Sequence, residues 1–151
     1  MNYDILARYY DALVKDDEAT RHWVHWIGSA GSTLLDCACG SGEITRQLAE
    51  KYEDVQGMDL SPAMIEAAAA KDTDHKVTWS TGDMTDLSGF GTFDVITCLC
   101  DSVNYLDEAG FVRWLDQAWT HLNPGGYLYF DMHSQDRIEE FREGYAEAGT
   151  F

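Results

Sequence analysis

The residues best suited to do chemistry lie between Leu34 and Gly42, where the apolar Leu34-Leu35 leads through Asp36-Cys37-Ala38-Cys39 into Gly40-Ser41-Gly42 and then Glu43-Ile44. Small side chains let a ligand approach the backbone closely. A helix beginning near Gly42 offers N–H groups and the positive end of its dipole to an anionic group, either a phosphate or the carboxylate of an amino acid. Spacing narrows the choice of ligand. A dinucleotide loop needs Gly-x-Gly-x-x-Gly, and Thr45 stands where the third glycine belongs; a phosphate loop needs Gly-Lys-Ser/Thr, and the first lysine after Gly42 is Lys51. Further along, Gly57-Met58-Asp59-Leu60 places a carboxylate about twenty residues after the glycines, where its two oxygens can accept both ribose hydroxyls. In Gly82-Asp83-Met84, Asp83 can accept from an exocyclic amino group, and Met84 can supply a backbone N–H and an apolar surface for a purine. Together these residues predict an adenosine whose 5′ end carries a zwitterionic group rather than a pyrophosphate.

Such residues need strands to carry them to one edge of a sheet. Apolar, strand-like runs occur at 33–38, 55–59, 77–81, 93–99 and 127–132, separated by segments long enough for helices or crossover loops. Short runs that are apolar on both faces suit parallel strands covered by helices, so the expected fold is α/β: a doubly wound, mostly parallel sheet with helices on both faces. Ligands of such sheets sit outside the carboxyl ends of the strands, which is where Asp36, Asp59 and Asp83 fall. Ser61-Pro62 marks one helix start, with a capping hydroxyl and a proline at the first helical position. Asp107 marks another, ahead of an apolar stripe of Phe111, Trp114, Leu115, Ala118 and Leu122 that reads as core. Residues 3–27 are rich in aromatics at helical spacing, and 28–32 break that helix. The sequence Asn123-Pro124-Gly125-Gly126 reads as a turn into the fifth strand.

The 151 residues, 45% hydrophobic and 25% charged, suit one domain, with residues 1–30 as a helical lid and 31–151 as the core. Twenty-seven acidic residues against ten basic ones give a formal charge of -17, a field that repels phosphate backbones and anionic lipid. Nucleic acid and membrane are therefore disfavoured as partners, and a cytoplasmic protein acting on a small molecule is expected. The cysteines form two C-x-C pairs, Cys37 with Cys39 and Cys98 with Cys100, a spacing that matches neither zinc loops nor a disulfide framework. The expectation is reduced thiols packed as small apolar residues, and no metal.

The motifs just described resemble those of class I S-adenosylmethionine-dependent methyltransferases, which have a Rossmann-like fold. Residues 34–42 are similar to that family's first motif, hydrophobic-x-Asp-x-Gly-x-Gly-x-Gly, with Ala38 in place of its first glycine. Residues 57–60 are similar to its second-strand acidic motif, 82–84 to its adenine motif, and 93–106 to its fourth-strand segment. The opening Tyr3 to Asp11 resembles the Y-x-x-F-A-x-x-Y-D start of a bacterial small-methyltransferase group, with Leu6 for the phenylalanine, and Phe130-Asp131-Met132-His133-Ser134 resembles that group's fifth-strand end. The resemblance implies S-adenosylmethionine as cofactor. It implies that Tyr10 covers the methionine end, that Asp36 orders a loop whose small residues are Ala38, Gly40 and Gly42, and that Asp59 with Leu60 holds the ribose. Asp83 with Met84 would hold the adenine, and the backbone near Cys100 the methionine amino group.

Methyl transfer from a sulfonium is an in-line displacement, so holding nucleophile and methyl carbon at about 3 Å in a desolvated site supplies most of the acceleration. A base helps where the acceptor is a hydroxyl or a protonated nitrogen. The candidates are Asp101, Asn104, Tyr105, Asp131 and His133, of which His133 has the intrinsic pKa best matched to the task. The competing readings are a non-catalytic cofactor-binding module and a nicotinamide oxidoreductase; the latter is disfavoured by Thr45. The family's sixth and seventh strands have no counterpart after the fifth run. A shortened sheet would expose the fifth strand as an edge through which copies of the chain could associate.

Overall fold

The computed structural model describes residues 9, 12–13, 16–134 and 136. The first of the elements used here is helix α1 (Asp17–Ile27), capped by the Asp16 carboxylate, which accepts from the backbone N–H groups of Glu18 and Ala19 at 2.9 Å. Then come β1 (Thr33–Cys37), α2 (Glu43–Leu48), β2 (Asp54–Asp59), α3 (Pro62–Lys71), β3 (Val77–Thr81), β4 (Phe93–Cys98), a 3-10 turn (Ser102–Tyr105), α4 (Glu108–His121) and β5 (Leu122–Phe130). The caps lie where the sequence places them. The Ser61 hydroxyl accepts from Met64 N–H with Pro62 at the helix start, and the Asp107 carboxylate accepts from Gly110 N–H at 2.7 Å.

All strand pairs are parallel, in the order β3-β2-β1-β4-β5. The order reverses at β1, so the loop after β1 and the loop after β4 diverge to opposite faces and leave a crevice between them. Strand alternation feeds two cores. Leu35, Cys37, Met58, Ile96 and Cys98 face α4 through Trp114 and Ala118, whereas Leu34, Val55, Val77 and Val95 face α1 and α2 through Ile27 and Leu48. Helices thus cover both faces, as the unbroken apolar runs of the central strands require.

The fifth strand departs from expectation. It starts at Leu122, directly after α4, and ends at Phe130, so the Asn-Pro-Gly-Gly segment read as a turn lies within the strand. The cause is an irregularity between β4 and β5: Phe93 pairs with Leu122 but Val95 pairs with Tyr127, so extra residues of β5 bulge out between the two pairs. Gly125, at φ 81, absorbs the turn this forces. Asp94, inside the same irregularity, clamps the amino ends of three strands. Its carboxylate accepts from the Ser32 and Thr33 N–H groups at 2.8 and 3.1 Å and from Asn123 Nδ2 at 2.9 Å. These bonds, the Asn123 amide foremost, hold its carboxyl down at about 2. Glycine is obligatory at Gly31 (φ +107), because a Cβ there would come within 2.4 Å of the Asp94 side chain.

Candidate functional site

At the carboxyl end of the sheet, backbone bonds lace the loops after β1, β2 and β3 together. Cys39 N–H donates to the Met58 carbonyl at 2.9 Å and Gly82 N–H to the Asp59 carbonyl at 3.0 Å. The Asp59 carboxylate is the centre of the lacing: Oδ2 accepts from Gly40 N–H and Oδ1 from Ser61 N–H, both at 2.9 Å. A carboxylate has about four acceptor sites, so each oxygen keeps capacity for a further donor such as a sugar hydroxyl. Leu60, beside it, is 72% exposed, an apolar side chain held out at the rim. Asp83 is turned partly inward on its own loop, its Oδ1 accepting from Thr85 N–H and Thr85 Oγ1 at 2.8 Å. Met84 is half-buried with its sulfur 3.6 Å from Cys98 Sγ.

Asp36 is buried beneath the first loop. Its two oxygens accept from Thr45 Oγ1 and Thr97 Oγ1, each at 2.6 Å, tying β1 to α2 and to β4. Burial raises its pKa to about 6, against the two hydroxyl bonds, which lower it, and with a smaller upward push from the Asp59 charge. Thr45, the residue that breaks the dinucleotide pattern, is therefore a structural donor to this carboxylate.

Ala38 adopts a left-handed φ of 56, as do Gly40 at 54 and Gly42 at 76. The glycine usual at the Ala38 position would relieve a conformation that costs an L residue about 1–2 kcal/mol. Gly42 and Gly57 both lie under the Trp79 indole of β3; a Cβ at either would come within 2.6 Å of its ring carbons. The loop N–H groups of Cys39, Gly40 and Gly42 are satisfied within the protein, by Met58, Asp59 and Cys39, and α2 is only six residues long, so these groups are not a ready anion cradle.

A pocket opens between this loop, the start of α1 and the turn after β4. It brings together Asp36, Ala38, Gly40 and Cys100 of the predicted set; Asp59, Leu60, Asp83 and Met84 lie outside its lining, on the β2 and β3 loops. The sequence did not reveal that Asp16 and Thr20 of α1, Glu43 and Ile44 of α2, and Leu99 and Ser102 would join it. The available signal was Asp16, a cap one turn ahead of the buried Thr20. Cys39 and Cys100 also line the pocket, whereas Cys37 and Cys98 are core; the expectation that every cysteine packs as a buried apolar residue holds only for the second two. Within each pair the first cysteine ends a strand and the second lies in the loop after it. Partial desolvation at the pocket wall, with the neighbouring charges of Asp131, Asp36 and Asp101, raises the Cys100 thiol to about 12, and burial raises that of Cys39 well above its usual range, which keeps both protonated. His133 lies at the end of β5, its Nε2 3.1 Å from Asp101 Oδ2. Tyr10 lies outside the described residues. Among the described residues there is no cluster able to hold a metal ion, and no helix is long and apolar enough to cross a membrane.

Residues 34–126 match the family model of a methyltransferase domain. The chain belongs to the class I S-adenosylmethionine-dependent methyltransferases. Within that family it is 36% identical over 146 residues to a Bacillus subtilis protein named "Putative methyltransferase YqeM", covering 93% of this chain and 59% of that protein. Its fold matches that of an S-adenosylmethionine-dependent methyltransferase from Clostridium acetobutylicum with a TM-score of 0.79 at 28% identity, covering 91% of this chain and 60% of the other. A second match is CalS10, an amino pentose methyltransferase from Micromonospora echinaspora solved with S-adenosylmethionine bound, at a TM-score of 0.73 and 27% identity, covering 89% and 58%. This methyltransferase chain thus spans about three-fifths of the length of these relatives. Its side chains fit the family's cofactor. The pocket carries the carboxylates of Asp16, Asp36 and Glu43, which complement the positive sulfonium and ammonium groups, and Asp59 retains the acceptor capacity that a ribose diol requires.

Proposed function

We propose that this chain binds S-adenosylmethionine along the carboxyl ends of β1, β2 and β3 and transfers its methyl group to a small-molecule acceptor. The observation that carries the reading is Asp59, a carboxylate fixed by two backbone donors at the junction of the first and second loops with acceptor sites to spare. In this reading Asp59 accepts the ribose hydroxyls and Leu60 covers one side of the nucleoside, while Asp83 and Met84 contact the adenine. Asp36 holds the loop of Ala38, Gly40 and Gly42 in shape from below, and the backbone at Cys100 takes the amino group. Tyr10 and the rest of residues 1–30 act as a lid, with α1 as its inner wall. The acceptor enters from the side of the β4 and β5 ends, where His133 stands. An acceptor of small-molecule size is compatible with the amino pentose that CalS10 methylates.

Calorimetric titration with S-adenosylhomocysteine and, separately, with NAD tests the reading on wild type and Asp59→Ala. Micromolar binding of the homocysteine compound is expected, weakened about 100-fold or more in the variant, because two hydroxyls lose a charged acceptor. Binding of NAD in its place would overturn the assignment.

A further inference from the structure

Among the described residues three carboxylates line the pocket, and they differ in what they face. Asp16 is exposed and uses Oδ1 to cap α1, whereas Glu43 is half-buried and takes Arg46 Nη2 at 2.7 Å. Asp36 is 3% exposed, and its donors are uncharged: Thr45 Oγ1 on Oδ2 and Thr97 Oγ1 on Oδ1, each at 2.6 Å. Both threonines are fully buried, so neither hydroxyl is shared with water. The pocket wall thus contains one carboxylate that is oriented from α2 on one side and from β4 on the other and is removed from solvent. No guanidinium or ammonium is among its described hydrogen-bond partners.

The titratable groups around Asp36 come from each element that packs there. Cys37 and Cys39 follow it in β1 and its loop, Asp59 ends β2, Cys98 ends β4, Cys100 lies in the turn after it, and Asp16 stands at the start of α1. On α2, Arg46 is paired with Glu43, and on α3, Lys71 Nζ donates to the Ser41 carbonyl at 3.5 Å. Asp36 interacts electrostatically with Asp59 on one side and with Cys100 on the other. Its field therefore reaches from the place assigned to the ribose to the place assigned to the methionine amino group, and the sulfur of the cofactor joins those two.

We propose that Asp36, with Thr45 and Thr97 as its positioning residues, sets the preference of this pocket for the sulfonium form of the cofactor over the thioether left after transfer. The proposal rests on the cofactor reading above. A charge removed from water acts on its surroundings far more strongly than one in bulk solvent, so a buried carboxylate with uncharged donors favours a ligand that brings a positive charge. S-adenosylmethionine, when bound, supplies a methyl group whose bond to sulfur breaks with both electrons left on sulfur, so that the positive charge passes to the acceptor and the thioether is neutral. The attraction that Asp36 provides is lost with the methyl group, which loosens the product. Burial raises the Asp36 carboxyl to about 6, against the two hydroxyl bonds, which lower it. The preference accordingly grows as pH rises through that value and the carboxylate ionises.

Calorimetry with S-adenosylmethionine and with S-adenosylhomocysteine reads the preference as a ratio of affinities, in which the contacts common to both ligands cancel. In wild type the ratio in favour of the sulfonium is expected to be about fivefold larger at pH 7 than at pH 5, the change that follows if the sulfonium lowers the Asp36 carboxyl from about 6 by about one pH unit. Asp36→Asn should give a ratio that does not change with pH. Thr97→Val should move the rise of the ratio to higher pH, since it removes a hydroxyl that lowers the carboxyl, and Thr97→Ser should restore the wild-type midpoint. A role in loop shape alone would change both affinities together and leave the midpoint in place. Carbon-13 titration of the Asp36 carboxyl, assigned through the backbone, tests wild type without any variant: its midpoint should fall with S-adenosylmethionine and stay with S-adenosylhomocysteine. A wild-type ratio constant between the two pH values, an Asn variant that keeps the wild-type dependence, or an equal fall with both ligands would each overturn the proposal. Binding of both ligands in those cases would leave the cofactor reading standing, whereas binding of neither by wild type would sink the cofactor reading itself.

Discussion

The two ends of the sheet hold their strands together with the same device, a carboxylate bridging β1 and β4, and tune it in opposite directions. At the amino end, Asp94 receives two backbone N–H groups and an amide, and its pKa is held down at about 2. At the carboxyl end, Asp36 receives two hydroxyls, is cut off from water, and is raised to about 6. Backbone geometry divides in the same way. Among the described residues, left-handed φ values at the amino end fall on Gly28, Gly31, Gly125 and His75, while those at the carboxyl end fall on Gly40 and Gly42 and on Ala38, Cys100 and Asp101. The amino end places glycine at all but one of these positions, whereas the carboxyl end carries three strained residues and a desolvated charge where a ligand is to bind.

The largest expected effect breaks the relaxed end. Gly31→Ala forces a Cβ into Asp94 at a φ that L residues avoid, and should destabilise the fold by about 2–4 kcal/mol in urea denaturation. Next comes the pH response of the two carboxylates. Asp36 has a folded pKa above its unfolded value, so its contribution is full below the ordinary carboxylate pKa and is lost as pH rises through about 6. Asp36→Asn should therefore gain on wild type by about 2–3 kcal/mol between pH 4 and pH 7. Asp94 has the opposite sign: its contribution is present above the ordinary carboxylate pKa and disappears as pH falls through about 2, so Asp94→Asn should close its deficit against wild type only in strong acid. Equal slopes for the two variants would abolish the contrast. The smallest effect is a gain, since Ala38→Gly relieves the left-handed φ and should stabilise by about 0.5–1 kcal/mol, offset in part by the entropy of the unfolded glycine.

What the sequence made legible follows the same division. The central strands were read to within a residue or two because unbroken apolar runs signal burial on both faces, and the caps at Ser61 and Asp107 follow from local chemistry. The start of β5 was not legible: Asn123 to Gly126 carries every mark of a turn, and only the pairing with β4 and the Asp94 clamp, remote in sequence, draw it into the sheet. At the site, Asp36 and Asp59 stood out by residue type and spacing. Their donors did not. Thr45 and Thr97 are ordinary residues until the fold sets them against Asp36, and the meeting of Asp101 with His133 depends on a left-handed turn that no local pattern announces.

The indole of Trp79, pressed against both Gly42 and Gly57, gives the loop a built-in optical reporter. Any ligand that shifts the backbone between Ala38 and Gly42 must alter the packing of that ring. Fluorine labelling of the tryptophans, with Trp79→Phe to assign its resonance, turns this contact into a titratable signal. It would register occupancy of the crevice before any product is formed, and so allows compounds to be screened against this chain while its acceptor is still being sought.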